Sequence, residues 1–113
     1  MTAAAGRHPT DAERAAAALP VLRDLLAAVE AGDAAAVAAL YADDAAWLDR
    51  DGIHDGGPAA AARHVALGAR AIAWAEPQQR GAKAALRWSG ADGASGAVVV
   101  EVRRGRVIFA ASS

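Results

Sequence analysis

The sequence predicts an α+β fold, and three observations carry that prediction. Apolar residues recur at helical spacing up to about Gly68, as in Leu19, Leu22, Leu26 and Val29. Beyond Gly68 the period becomes two: Ala82, Ala84, Leu86 and Trp88 alternate with Lys83, Ala85 and Arg87. The two kinds of segment are also segregated along the chain. Helices followed by hairpin-linked strands indicate helices packed on a mainly antiparallel sheet, not a wound parallel one.

Taken in order, residues 1–9 read as a disordered tail and residues 10–113 as a single domain. Thr10 or Asp11 can cap a helix, with Glu13 and Arg14 in its first turn. Pro20 either kinks this helix or marks its true start, leaving a core helix over Leu19–Ala31 that stops at Gly32. Asp33 is a good N-cap for a second helix reaching about Ala42, with Val37, Leu40 and Tyr41 on one face. Ala45 to Arg50 reads as a strand with Trp47 and Asp49 on the same side, and Asp51-Gly52 as a turn. Gly56-Gly57-Pro58 leads into a third helix, Pro58 to about Leu67. Ala71–Ala75 is a short strand and Pro77–Gln79 a connection. Gly81–Trp88, Ala97–Arg103 and Arg106–Ala111 are strands joined by turns at Gly90–Gly96 and Arg104-Gly105.

The bulk properties exclude several classes. Twelve basic and 13 acidic residues leave a net charge of −1, and the arginines are scattered, so no nucleic-acid surface is expected. No apolar run reaches membrane-spanning length, and the N-terminus lacks a basic start followed by an apolar core, so no membrane anchoring or signal peptide is expected. There are no cysteines, which fits a reducing compartment, and the expected location is the cytoplasm. Alanine dominates the composition, so the Leu, Ile, Val and Trp positions carry the informative pattern.

The stretch A-G-D-A-A-A-V-A-A-L-Y-A-D-D-A, Ala31 to Ala45, joins a helix ending in Gly-Asp to a short helix and then a strand. With Ile53-His54-Asp55-Gly56, the third helix and the closing V-E-V-R-R-G-R-V hairpin, it resembles the SnoaL-like and ketosteroid-isomerase-like branch of the nuclear transport factor 2-like superfamily. The resemblance covers about Leu19 to Ala111. It implies a curved sheet wrapped round three helices as a cone-shaped barrel with a conical cavity, in a group that includes isomerases, polyketide cyclases, dehydratases and epoxide hydrolases as well as non-catalytic binding modules. It also implies that Asp49 stands where such isomerases keep their general base. Their oxyanion donors fall at Leu25 and Val98, which cannot donate, and this puts steroid isomerisation in doubt.

Asp49, His64 and Tyr41 are therefore the candidate catalytic residues. A carboxylate against apolar and aromatic surface has its charged form disfavoured, which raises its basicity. His64 or Tyr41 would supply a proton. The competing readings are a surface aspartate opening the Asp49–Gly52 turn, an exposed helix histidine and a tyrosine bonded to backbone. Trp47, Trp74 and Trp88 share one plausible inner face and, with Leu86 and Val98, would either wall a flat apolar ligand site or simply fill the core. The histidines lack metal-ligand spacing, so neither a metal nor a cofactor is expected. Arg87 and Glu101 read as a cross-strand ion pair on the outer sheet face. Val99, Glu101 and Phe109 on that face are expected to form a homodimer. The function expected is a small acid-base enzyme of isomerase, cyclase or dehydratase type acting on an apolar cyclic or polyketide-like metabolite. The alternative is a binding or dimerisation module of the same fold.

Overall fold

The structure, a computed structural model, describes residues 8–113. Most of the expected tail lies outside the described residues. Helix α1 spans Asp11–Glu30 as one element, longer than the helix expected from Leu19. Thr10 starts it: its hydroxyl accepts from the Glu13 amide at 3.1 Å, and the Glu13 carboxylate reaches back to the Thr10 amide. Pro20 is accommodated inside it. The carbonyl that Pro20 cannot satisfy belongs to Ala16, on the exposed side of the helix, where water can reach it. Ala15, Ala18, Val21, Leu22, Leu25 and Ala28 form the buried side.

Helix α2 is short, Ala34–Ala39, capped by the Asp33 side chain on the Ala36 amide at 3.0 Å. It ends before Tyr41 because the Val107 amide donates to the Leu40 carbonyl at 2.8 Å, drawing the chain into the sheet. Strand β1 therefore begins at Tyr41 and runs to Asp49. A two-residue turn at Arg50-Asp51 leads into β2, Gly52–Asp55. Gly52 has φ 115°, which the turn requires and a side chain would resist. Helix α3 spans Gly57–Arg70, with Pro58 in its first turn. The remaining strands are β3 (Ala71–Trp74), β4 (Gln78–Arg80), β5 (Lys83–Gly90), β6 (Ser95–Arg103) and β7 (Arg106–Ser112). β4, expected as a connection, is an exposed polar edge strand closed onto β5 by the turn at Gly81-Ala82.

The sheet order is β2-β1-β7-β6-β5-β3, with β4 also on β5. Every pairing is antiparallel except β1 with β7. The sheet is curved, mixed and not closed, and the helices pack in its concavity. An extra residue on β7, Ile108, interrupts pairing with β6 between Phe109 and Val107. That bulge lets both Val107 and Ala110 face inward. The core joins the inner residues Tyr41, Trp47, Ala84, Leu86, Trp88, Val98 and Val100 to the buried faces of the helices. No helix among the described residues is long and apolar enough to cross a membrane.

The expected Arg87–Glu101 pair does not form. Arg87 lies opposite Ala97 and Glu101 opposite Phe109, because the β5–β6 register sets the two charges four residues apart.

Gly57 is where α3 meets β1. A Cβ there would collide with the Ala42 carbonyl, which is backbone and cannot turn aside. Gly57→Ala is expected to lower stability by about 1–3 kcal/mol, read from urea denaturation. An unchanged midpoint would mean that α3 does not approach β1 as closely as described.

Candidate functional site

Asp49 sits at the C-terminal end of β1, and two residues of strand spacing place it on the same face as Trp47. The β1–β2 register brings His54 opposite Trp47. Helix α3 supplies Arg63 from the side facing the hairpin. These elements converge on one carboxylate, whose side chain is 11% exposed. One oxygen, Oδ2, accepts from the Trp47 indole N–H at 2.9 Å and from Arg63 Nε at 2.8 Å. The other, Oδ1, accepts from the Asp51 amide at 2.9 Å and lies 3.3 Å from His54 Nε2. Arg63 also bridges to Asp51 at 2.8 Å.

The electrostatic outcome corrects the expected rise in basicity. Burial alone would push the Asp49 carboxyl up. The hydrogen bonds from Arg63, the Asp51 amide, Trp47 and His54 outweigh that and hold it at about 2. Asp49 is thus a saturated anion and a weak base. Its contacts to Asp49 and Asp51 push the Arg63 guanidinium up, so it stays charged.

Tyr41 and His64 form a separate unit. The tyrosine hydroxyl lies 2.7 Å from His64 Nδ1, and both side chains are buried. His64 is only 1% exposed, not the surface histidine that is the default on a helix. Burial pushes its imidazole down to about 4 and the Tyr41 phenol up. The edge of the Trp47 indole meets the His64 ring, with centroids 5.5 Å apart. Trp47 therefore lies between the pair and Asp49, and no hydrogen bond joins His64 to Asp49. The expected direct acid-base partnership is not what the geometry provides.

The conical space is filled where a cavity was expected: Trp47, Leu86 and Val98 are fully buried core residues. Trp74 lies opposite Trp88 across the β3–β5 pair, on the same face, but opens on a shallow groove with Leu26, Val29 and Ala71. The three indoles do not wall one site. Leu25 and Val98, where the resemblance implied oxyanion donors, pack in the core.

Beside Asp49 lies an open cleft of about 660 Å³, a volume in the range of small-molecule sites. Asp49, Arg50, Asp51, Arg63 and Arg70 line it with Leu67, Trp88, Ser95 and Ser112. Of the residues expected in the site, Asp49 and Trp88 reach this cleft. Arg63 and Arg70 were missed, although the signal was present. On a helix with Ala60, His64 and Leu67 inward, Arg63 and Arg70 fall at its rim and can reach the strand ends. No group of three or more His, Cys, Asp or Glu side chains among the described residues is placed to hold a metal ion.

Solved structures share this fold. An NTF2-like protein of unknown function from Mesorhizobium loti superposes with a TM-score of 0.71 at 23% identity, over 93% of this chain and 94% of that one. The fold is that of the nuclear transport factor 2-like proteins. A Sinorhizobium meliloti protein proposed to be a polyketide cyclase superposes at 0.70 and 20% identity, over 83% of this chain and 94% of its own. A de novo designed protein with a curved β-sheet also superposes, at 0.67 and 14% identity over 82% and 80%. The last shows that packing alone can produce this architecture without an inherited site. No protein-family model matches the sequence, and no curated protein matches it.

Acid stability follows from the two units. His64 is an uncharged group in the fold, at about 4 against an ordinary 6.5. Between those values the unfolded chain binds a proton that the folded chain refuses, so stability is lost as pH falls from about 6.5 to about 4. Asp49 is held at about 2 against an ordinary 3.8. Its contribution is full above about pH 4 and is lost as pH falls toward about 2. Urea midpoints measured from pH 7 to strong acid are expected to fall in these two stages. His64→Gln should flatten the first and Arg63→Gln should shift the second upward. A wild-type profile flat between pH 6.5 and 4 would contradict the buried neutral imidazole.

Proposed function

We propose that this chain is a small-molecule-binding protein whose ligand occupies the cleft between α3 and the ends of β1, β5, β6 and β7. One observation carries the reading. Asp49 faces the cleft already saturated by Arg63, while the groups that could exchange a proton with it, Tyr41 and His64, are sealed beneath Trp47. A general base needs a lone pair free for the substrate and basicity near the working pH, and Asp49 has neither in this state. The cleft does bring charge, indole surface and an apolar wall together in one concave space.

A second reading is favoured by the place of Asp49 on β1 and by the likeness to the Sinorhizobium meliloti protein. In it the chain is an acid-base enzyme of cyclase or isomerase kind acting on an apolar cyclic or polyketide-like metabolite. Asp49 would then take a proton only after the ligand draws Arg63 away, which leaves Oδ2 with the Trp47 N–H alone and raises the basicity of the carboxylate.

Mass analysis of molecules that copurify with the protein, followed by NMR titration, separates the two readings. The expected result is saturable binding with shifts clustered on Asp49, Leu67, Trp88 and Ser95, and an unchanged ligand after long incubation. Conversion of the ligand, lost in Asp49→Asn at equal binding, would establish the enzyme. Saturable binding at another surface would remove both.

The same reading includes a homodimer through the outer sheet face. Val99 and Phe109 are half-buried there, and Leu48 and Ile53, paired across β1 and β2 on that face, are exposed, Ile53 to 65%. Such an apolar surface is costly to leave in water. Light scattering at high micromolar concentration should give twice the mass of the 11.3 kDa chain, and Ile53→Lys should shift the equilibrium toward monomer. A monomer throughout would overturn the dimer.

A further inference from the structure

We infer that the cleft receives a small organic carboxylate, its head group held by Arg70 and the Trp88 indole N–H and its apolar body resting on Leu67 and Ala66. The inference rests on the ligand-binding reading and names the chemistry of its ligand.

The two ends of the cleft differ in how far their polar groups are satisfied. At the Asp49 end the charges are closed on one another, since Arg63 is bridged to both Asp49 and Asp51. At the other end they are open. The Trp88 indole nitrogen is buried and has no hydrogen-bond partner among the described residues, in a side chain 5% exposed that walls the cleft. An N–H buried without an acceptor costs about 1–3 kcal/mol, so native structures rarely keep one without use. The indole edge that carries this nitrogen rests on Gly96. A Cβ there would lie 3.1 Å from Trp88 Cε2, so the missing side chain is what leaves the edge its room.

Arg70 stands over the same ring, its guanidinium carbon 5.5 Å from the centroid. It is exposed and makes no ion pair among the described residues. The carboxylate of Asp92, beside Gly90, accepts from the Ala94 amide at 3.0 Å through one of its oxygens and is not paired with Arg70 among the described residues. The hydroxyls of Ser95 and Ser112 also line this end. A free cation, an unused donor and two hydroxyls together select an anion rich in acceptors.

The number of donors selects the kind of anion. A carboxylate is planar and matches the guanidinium fork, with lone pairs left for one indole N–H. A phosphate monoester is a near-dianion with three strong acceptor oxygens, and one free cation leaves it under-neutralised. Leu67 and Ala66 beside Arg70 on α3, with Ala94 opposite, give the carboxylate's body an apolar bed.

Titration of the full chain with benzoate, benzamide and phenyl phosphate tests this through the indole N–H resonances in a nitrogen–proton correlation spectrum. Benzoate is expected to move the Trp88 resonance, assigned by its proximity to Gly96, in a saturable way while Trp47 and Trp74 stay in place. Arg70→Gln, a change at an exposed position, should weaken that binding by about tenfold. Benzamide and phenyl phosphate should each bind about tenfold more weakly than benzoate. Benzamide binding as tightly as benzoate, or an Arg70→Gln protein that binds as the wild type does, overturns the carboxylate while leaving a ligand-binding cleft in place. Phenyl phosphate binding more tightly than benzoate overturns it in favour of a phosphoryl ligand. No shift at Trp88 with benzoate up to about 10 mM, the weak end of fragment affinity, overturns it outright.

Discussion

The meeting of the β1–β2 hairpin with helix α3 depends on one carboxylate. Asp49 accepts from the indole of Trp47, the guanidinium of Arg63 and the amide of Asp51, with the His54 ring beside it. Each donor comes from a different part of the chain. The strand supplies the indole, the turn the amide, the second strand the imidazole and the helix the guanidinium. Satisfying the anion fixes the position of each relative to the others. Satisfaction of this kind strengthens a network and removes its reactivity together, because a lone pair that is fully engaged is not available to a substrate. The same residue thus orients the mouth of the cleft and is disarmed by doing so.

Much of this was legible in the sequence and some was not, for local reasons. The helical period of Leu19 to Val29, the Asp33 cap and the alternation from Ala82 to Trp88 each reflect contacts made within a few residues, and each element is present. Tyr41 was read as the end of a helix because Val37 and Leu40 share its face. What takes it into a strand is an amide from β7, more than sixty positions away. β2 and β4 are short edge strands of polar or mixed residues, and only their partners make them strands. Asp49 was found by its place beside Trp47, but its chemistry depends on Arg63, and no spacing rule ties a strand to the rim of a helix that follows a hairpin. His64 came to light as a residue type. That it faces Tyr41 and not Asp49 depends on the roll of α3, which Gly57 sets by its close approach to Ala42.

The alanine-rich composition has a structural counterpart. Ala15, Ala18 and Ala28 on α1 and Ala60 and Ala61 on α3 are buried, so the helices lie close to the sheet and little side-chain volume separates them. Gly68 carries this furthest, since a Cβ there would run into Val29. A core of small residues needs a few large ones to fill it, and Trp47 with Leu86 does so where a related architecture could enclose a cavity. The open space is thereby left outside the core, beside the charged residues Asp49, Asp51 and Arg63.

The single parallel pairing, β1 with β7, has a consequence for how the chain reaches this state. β1 is made well before β7, yet Trp47 lies opposite Ala110 and Leu48 opposite Ala111. Until β7 is made, β1 has only the short β2 beside it, and its other edge is an open template for a foreign strand. The contacts that close the sheet are among the longest in sequence, and contacts of that length slow folding. The burden of keeping the nascent protein from pairing wrongly therefore falls on β1 itself. Asp43 and Asp44, exposed at the start of that strand, put charge where an unwanted partner would first have to dock.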